Sequence, residues 1–103
     1  MPNDELTLNV LRNIDTLKTQ RTLADELGYS VGKINYVLKA LGEKGFIKAE
    51  NFFANKNKNQ YKYLLTQQGM DEKIALTQKF IQRKKAEYEM LVYELEMMES
   101  INK

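Results

Sequence analysis

The residues with the most to offer chemically fall together in Ser30-Val31-Gly32-Lys33-Ile34-Asn35-Tyr36-Val37-Leu38-Lys39. Read at helical spacing, Val31, Ile34, Leu38 and Leu41 form an inner stripe with Val37 flanking it, while Gly32, Lys33, Asn35, Tyr36 and Lys39 face outward. Lys33 and Asn35 can hydrogen-bond base edges or phosphates, and Tyr36 can do so or pack on a thymine methyl. The Ser30 hydroxyl and the free amides of the helix start can donate to a phosphate. Gly32 has no side chain and allows close backbone approach. The competing reading is an idle solvated face, but a tyrosine and an asparagine among lysines suit recognition better. A second basic group, Lys56 and Lys58 in Ala54-Asn55-Lys56-Asn57-Lys58-Asn59, can reach flanking phosphates or a minor groove. Alone, that group reads better as a soluble turn; beside a helix pair packed across a sharp turn, the binding reading is the stronger one.

Other chemistries are poorly supplied. The 103-residue chain has neither cysteine nor histidine, which removes disulfides, thiol nucleophiles, the usual zinc ligands and the commonest general base near neutral pH. Asp25–Glu26 and Asp71–Glu72 are neighbours in sequence, so each pair points to two different helix faces. No catalytic, cofactor or metal constellation emerges, and an enzyme is not expected. The net charge of +2 says little by itself. Its distribution says slightly more: residues 1–68 carry ten Lys/Arg against seven Asp/Glu, and residues 69–103 carry six against seven. There is neither a bilayer-length apolar run nor a secretory start, so a cytoplasmic protein is expected.

Several elements must hold the basic cluster in place. Leu6, Val10, Leu11, Ile14 and Leu17 recur at three- and four-residue intervals, predicting a first helix from about Glu5 to Thr16 capped by Asn3 or Asp4. A second helix is expected from Thr19 or Gln20 to Leu27, with Leu23, Ala24 and Leu27 inward and Gly28 as its stop. Ser30 then caps a third helix, Val31 to about Lys44, closed by Gly45. Gln20, a small residue at Ala24, a turn glycine at Gly28 and branched residues at Ile34 and Val37 stand at the intervals that two helices in close contact across a sharp turn require. An ordinary helical hairpin would use the same packing. Phe46–Phe53 and Gln60–Leu65 are rich in aromatic and branched residues, predicting an antiparallel ribbon whose tip is the Asn/Lys run.

The last segment has no proline from Thr66, its expected N-cap, to about Met98. Ile74, Ile81, Tyr88 and Leu95 are spaced by heptads, and Thr77, Lys84, Leu91 and Met98 complete an a/d pattern with two polar d positions. A helix of roughly 45 Å cannot bury one stripe on so small a body, so a partner is expected, with Ile74, Ile81, Tyr88, Leu91, Leu95 and Met98 at the contact. Lys73, Lys79, Arg83, Lys84 and Lys85 form a basic half, and Glu87, Glu89, Glu94, Glu96 and Glu99 an acidic half. Antiparallel pairing sets opposite charges together. Two alternatives stay open: Arg83, Lys84 and Lys85 on DNA backbone, or the helix folded against Leu6–Leu17 of a partner chain.

The segment Tyr63-Leu64-Leu65-Thr66-Gln67-Gln68-Gly69, following a helix pair and a basic ribbon, resembles MarR-type winged-helix regulators, in which a strand ends in Leu-Thr-x-x-Gly. The run from Leu23 to Leu41, with Asn51-Phe52, Asn57-Lys58, Lys79-Phe80, Arg83-Lys84 and Glu87-Tyr88-Glu89, is similar to the MarR-type regulators of exopolysaccharide and lipopolysaccharide gene clusters. The resemblance covers about Leu6 to Met98. It implies a bacterial homodimeric transcription factor acting at surface-polysaccharide operons. Two features depart from ordinary MarR proteins. Tyr36 and Lys33 stand where arginine and threonine are frequent, so base preferences do not carry over. Only about five residues precede the first helix, which argues against the phenolic-ligand cleft of that family, and no small-molecule effector is expected.

The expected architecture is α+β and mainly α: a winged helix-turn-helix at residues 1–66, then a long dimerisation helix at 67–103. The expected function is sequence-specific recognition of double-stranded DNA by a homodimer. The alternative is a winged-helix protein-interaction module with little specific DNA binding.

Overall fold

The structure, a computed structural model, describes residues 3–14, 20–51 and 61–102. Four helices and two strands follow one another as α1 (Asp4–Asn13), α2 (Gln20–Leu27), α3 (Val31–Glu43), β1 (Ile47–Asn51), β2 (Tyr61–Leu65) and α4 (Gln67–Ile101). The strands are antiparallel, with Ile47 opposite Leu65 and Asn51 opposite Tyr61. The molecule measures 68 × 27 × 22 Å, the long dimension reflecting α4.

The starts of α1, α3 and α4 are each fixed by a short side-chain oxygen. Asn3 accepts from the amide of Leu6, Ser30 from Lys33 and Thr66 from Gly69, each satisfying a first-turn donor with no intrahelical partner. Gly28 and Gly45, both at φ +77°, provide the left-handed conformation that ends α2 and α3. At the first of these ends the amides of Gly28 and Tyr29 both reach the Ala24 carbonyl.

The core gathers Leu6, Val10, Leu11 and Ile14 from α1, Leu23 and Ala24 from α2, and Ile34, Val37, Leu38 and Leu41 from α3, with Ile47 and Leu76 joining from β1 and α4. Ala24 is 2% exposed, consistent with a small residue where α2 meets α3. Three details differ from the sequence expectation. Val31 is 44% exposed and not part of the inner stripe, because the first turn of α3, residues 31–33, is exposed throughout. Val37, expected only to flank that stripe, is completely buried. Helix α1 ends at Asn13 and not near Thr16; Thr16, Leu17 and Thr19 lie outside the described residues, as do the outer parts of the two predicted strands.

Thr66 ties α4 to this body. Its hydroxyl donates towards the carbonyls of Gly45 (2.6 Å) and Phe46 (3.0 Å) while accepting from Gly69 N–H (3.0 Å). Three residues on, Gly69 is buried so close to β1 that an added Cβ would stand 1.9 Å from the Phe46 carbonyl oxygen. Leu76, two turns further, is 5% exposed. Beyond Phe80 the packing stops, and every residue from 81 to 102 is exposed. No helix among the described residues is long and apolar enough to cross a membrane.

Candidate nucleic-acid interface

Helix α3 is held from behind and open in front. Its buried side rests on α2 through Ile34, Val37 and Leu38. Its other side presents Gly32, Lys33, Asn35, Tyr36 and Lys39, all exposed, with Ser30 exposed at the start. Six of the eight residues expected to contact nucleic acid therefore share one surface. The other two, Lys56 and Lys58, lie outside the described residues.

Local contacts shape that surface. Ser30 Oγ accepts from the Lys33 amide at 3.1 Å, which leaves the hydroxyl proton free to donate outward. Lys33 Nζ sits 5.7 Å from the centre of the Tyr36 ring, within range of a cation–π attraction. The pair thus offers a charge and an aromatic face as one unit, with Tyr36 52% exposed. Gly32 has nothing within 4 Å of where a Cβ would stand, so its open side faces away from the chain.

One contact was not legible in the sequence. Gln20 Nε2, at the first residue of α2, donates to Asn35 Oδ1 at 3.2 Å. This bond orients the Asn35 amide from a different helix and leaves its Nδ2 hydrogens available. Arg21, beside Gln20, is exposed and adds a cation to the start of α2. Neither residue belongs to a recognisable linear motif with Asn35. The hint lay only in the proximity of α2 and α3 that Ala24 and Gly28 demand.

The carboxylates show no convergent arrangement. Asp25, Glu26 and Asp71 are exposed and Glu72 is half-buried, and among the described residues no acidic group is clustered to hold a metal. Asp4 has a perturbed titration. Its carboxyl is held below the usual value by a hydrogen bond from Lys79, with the charges of Lys79 and Arg83 acting in the same direction against partial desolvation. That pair joins the start of α1 to α4 on the surface.

Two helices packed across a glycine turn, the second with an exposed polar face and followed by a two-stranded antiparallel ribbon, define a known architecture. Residues 3–48 match the family model described as winged helix-turn-helix DNA-binding. The fold is a winged helix-turn-helix.

Solved structures share the arrangement over nearly the full chain. The chain is similar to Staphylococcus aureus MepR in a DNA complex, with a TM-score of 0.65, 20% identity, and coverage of 100% of this chain and 82% of that one. It is also similar to MepR described as a transcription regulator of the multidrug efflux pump MepA, with a TM-score of 0.62, 19% identity, and coverage of 97% and 78%. The regulator PcaV of Streptomyces coelicolor, solved with its natural ligand, has a TM-score of 0.57 at 17% identity, with coverage of 87% and 72%. No curated relative matches the sequence. Within this winged helix-turn-helix, α2 and α3 are the helix pair and β1–β2 the wing.

The residues expected at a dimer contact are all on the outside of α4. Ile74 and Ile81 are each 49% exposed and Tyr88 69%, with Leu91, Leu95 and Met98 between those values.

Proposed function

We propose that this protein is a transcriptional regulator that binds specific double-stranded DNA as a homodimer through α4. The observation that carries the reading is the outward face of α3. Lys33, Asn35 and Tyr36 are exposed on a helix whose opposite side is locked into the core, in the fold that a DNA-complexed MepR shares. In such a fold the second helix of the pair enters the major groove while the first crosses the backbone. Lys33 and Tyr36 would meet bases or phosphates, Asn35 would present its oriented amide to a base edge, and Ser30 and Arg21 would anchor phosphates. Lys39 would add a phosphate contact, and Lys56 and Lys58 on the wing would bind flanking backbone without reading sequence.

Dimerisation is supported by the second half of α4, where Tyr88, Leu91, Leu95 and Met98 stand in water on a helix without packing in the chain. Leaving such side chains exposed forgoes about 1.5–3 kcal/mol each relative to burial, so a partner face is the chemical expectation. Control of surface-polysaccharide genes in the cytoplasm is supported by the motif resemblance from Leu23 to Leu41. No small-molecule effector enters this reading.

The test is a titration against a duplex taken from upstream of the protein's own gene and against random duplex, at two salt concentrations. Tighter binding to the upstream duplex, with affinity falling as salt rises, is the expected result. Equal affinity for both duplexes removes the claim of specific regulation, and no duplex binding leaves a protein-interaction module. A monomeric mass in light scattering at high micromolar concentration removes the homodimer.

A further inference from the structure

A groove runs between α1 and α4, with Leu8, Asn9 and Arg12 on one wall and Thr77, Ile81 and Lys84 on the other. The α4 wall includes successive d, a and d positions of the heptad seam, flanked by Phe80, Arg83 and Glu87. The same seam continues past the body into Tyr88, Leu91, Leu95 and Met98.

We infer that this groove receives the second half of α4 from a second copy of the chain, running antiparallel, with the two-fold axis at the level of Ala86. The inference rests on the homodimer reading above and specifies its direction and register. Two independent patterns mirror about the same residue. In an antiparallel pair each a residue faces a d residue, and Ile74 with Met98, Thr77 with Leu95, Ile81 with Leu91, and Lys84 with Tyr88 are each equidistant from Ala86. The charge blocks do the same. The basic block from Lys73 to Lys85 and the acidic block from Glu87 to Glu99 end at equal distances from Ala86. Seam periodicity alone permits other registers offset by half a heptad. Those leave end positions unpaired and slide like charges into overlap, so the charge boundary selects one.

The groove fits that occupant chemically. Three cations, Arg12 of α1 and Arg83 and Lys84 of α4, outnumber Glu5 and Glu87 along it, and the arriving segment carries Glu89, Glu94, Glu96 and Glu99. Lys84, the polar d position nearest the axis, has Glu87 of its own helix at 3.7 Å and meets the ring of Tyr88 from the second copy. The two bodies then sit at opposite ends of one rod. Leu76, which anchors α4 in the core, lies about 30 Å along the rod from its symmetry equivalent, comparable with the roughly 34–36 Å between half-sites on one turn of duplex.

Because the chain has no cysteine, single-cysteine variants report the register directly. Ile81→Cys and Leu91→Cys replace exposed side chains, so neither change removes a core contact. The two variants are mixed under reductant, oxidised, and read on a non-reducing gel beside each variant alone. The register predicts a disulfide-linked dimer in the mixture and almost none in either variant alone, since its two thiols would lie about 15 Å apart, beyond the ~7 Å that a disulfide can span. Efficient linkage of either variant alone overturns the inference in favour of parallel pairing. An unlinked mixture that still has a dimeric mass in light scattering overturns the register and leaves the homodimer standing. A monomeric mass overturns both.

Discussion

The outward face of α3 and the second half of α4 are both exposed to water, and for opposite chemical reasons. On α3 the exposed groups are an ammonium, an amide, a phenol and a hydroxyl, each of which water satisfies. That helix is already fixed by Ile34, Val37 and Leu38 behind it, so the face is preorganised before any partner arrives. On α4 the exposed groups include Tyr88, Met90, Leu91, Tyr93, Leu95 and Met98, and among the described residues none covers them. The first face is complete in the monomer and waits for a ligand. In the proposed homodimer the second is completed by another copy of the chain. Exposure alone therefore does not identify a binding face; the polarity of the atoms and the rigidity of the helix beneath them separate the proposed nucleic-acid surface from the proposed assembly surface.

The joint between these two regions gives the largest expected effect. Gly69→Ala drives a methyl into the Phe46 carbonyl and should lower unfolding stability by about 3 kcal/mol or more, measured by urea unfolding. Gly42→Ala, exposed and with nothing nearby, should instead raise stability by about 0.5–1 kcal/mol. Equal stability of Gly69→Ala and wild type would mean that α4 is not seated on the Phe46 backbone as described.

A second comparison separates assembly from folding. Leu91→Glu with Leu95→Glu should weaken self-association at least tenfold, given about 1.5–3 kcal/mol per buried leucine. Sedimentation equilibrium measures this, while the unfolding of the body should change little. Unaltered association would move the contact to another surface. A smaller change is expected from Gln20→Ala, which frees the Asn35 amide. It should cost up to about 1 kcal/mol in discrimination at one base position, read by competition among single-base-pair variants of the site.

These effects differ in how far the sequence announced them. Local chemistry was legible: Ser30 and Thr66 as caps and Gly28 and Gly45 as stops depend on a few adjacent residues and proved so. Apolar periodicity found the core stripes but misplaced Val31 and Val37, because spacing gives a helix's face and not how far its neighbour extends along it. The close approach of Gly69 to Phe46, the clasp of Thr66 on Gly45 and the bond from Gln20 to Asn35 link residues distant in sequence, and no linear motif encodes them. The same holds for Asp4 and Lys79, which are 75 residues apart. Of the proposed nucleic-acid surface, the α3 residues were readable from helical spacing and their packing on α2 from Ala24 and Gly28, whereas the bond from Gln20 that orients Asn35 was not.

The smallest expected effect concerns that surface pair. The Asp4 carboxyl is held below its usual value of 3.8, so its contribution to stability is present above that value and is lost as pH falls through the lowered one. Asp4→Asn should therefore reduce stability slightly at pH 7 and leave it unchanged near pH 2. A variant deficit that grows on acidification would contradict the sign.

The most direct test of the central claim is the affinity of Lys33→Ala/Tyr36→Ala for the upstream duplex, followed by fluorescence anisotropy beside wild type. Both side chains are exposed on α3, so thermal unfolding should be unchanged. Specific binding should fall by roughly 30-fold or more, from about 1–3 kcal/mol for each of two lost base contacts and a reduced phosphate contribution, and the salt dependence should flatten. Wild-type affinity and salt dependence in a folded double variant would contradict the assignment of α3 as the reading surface.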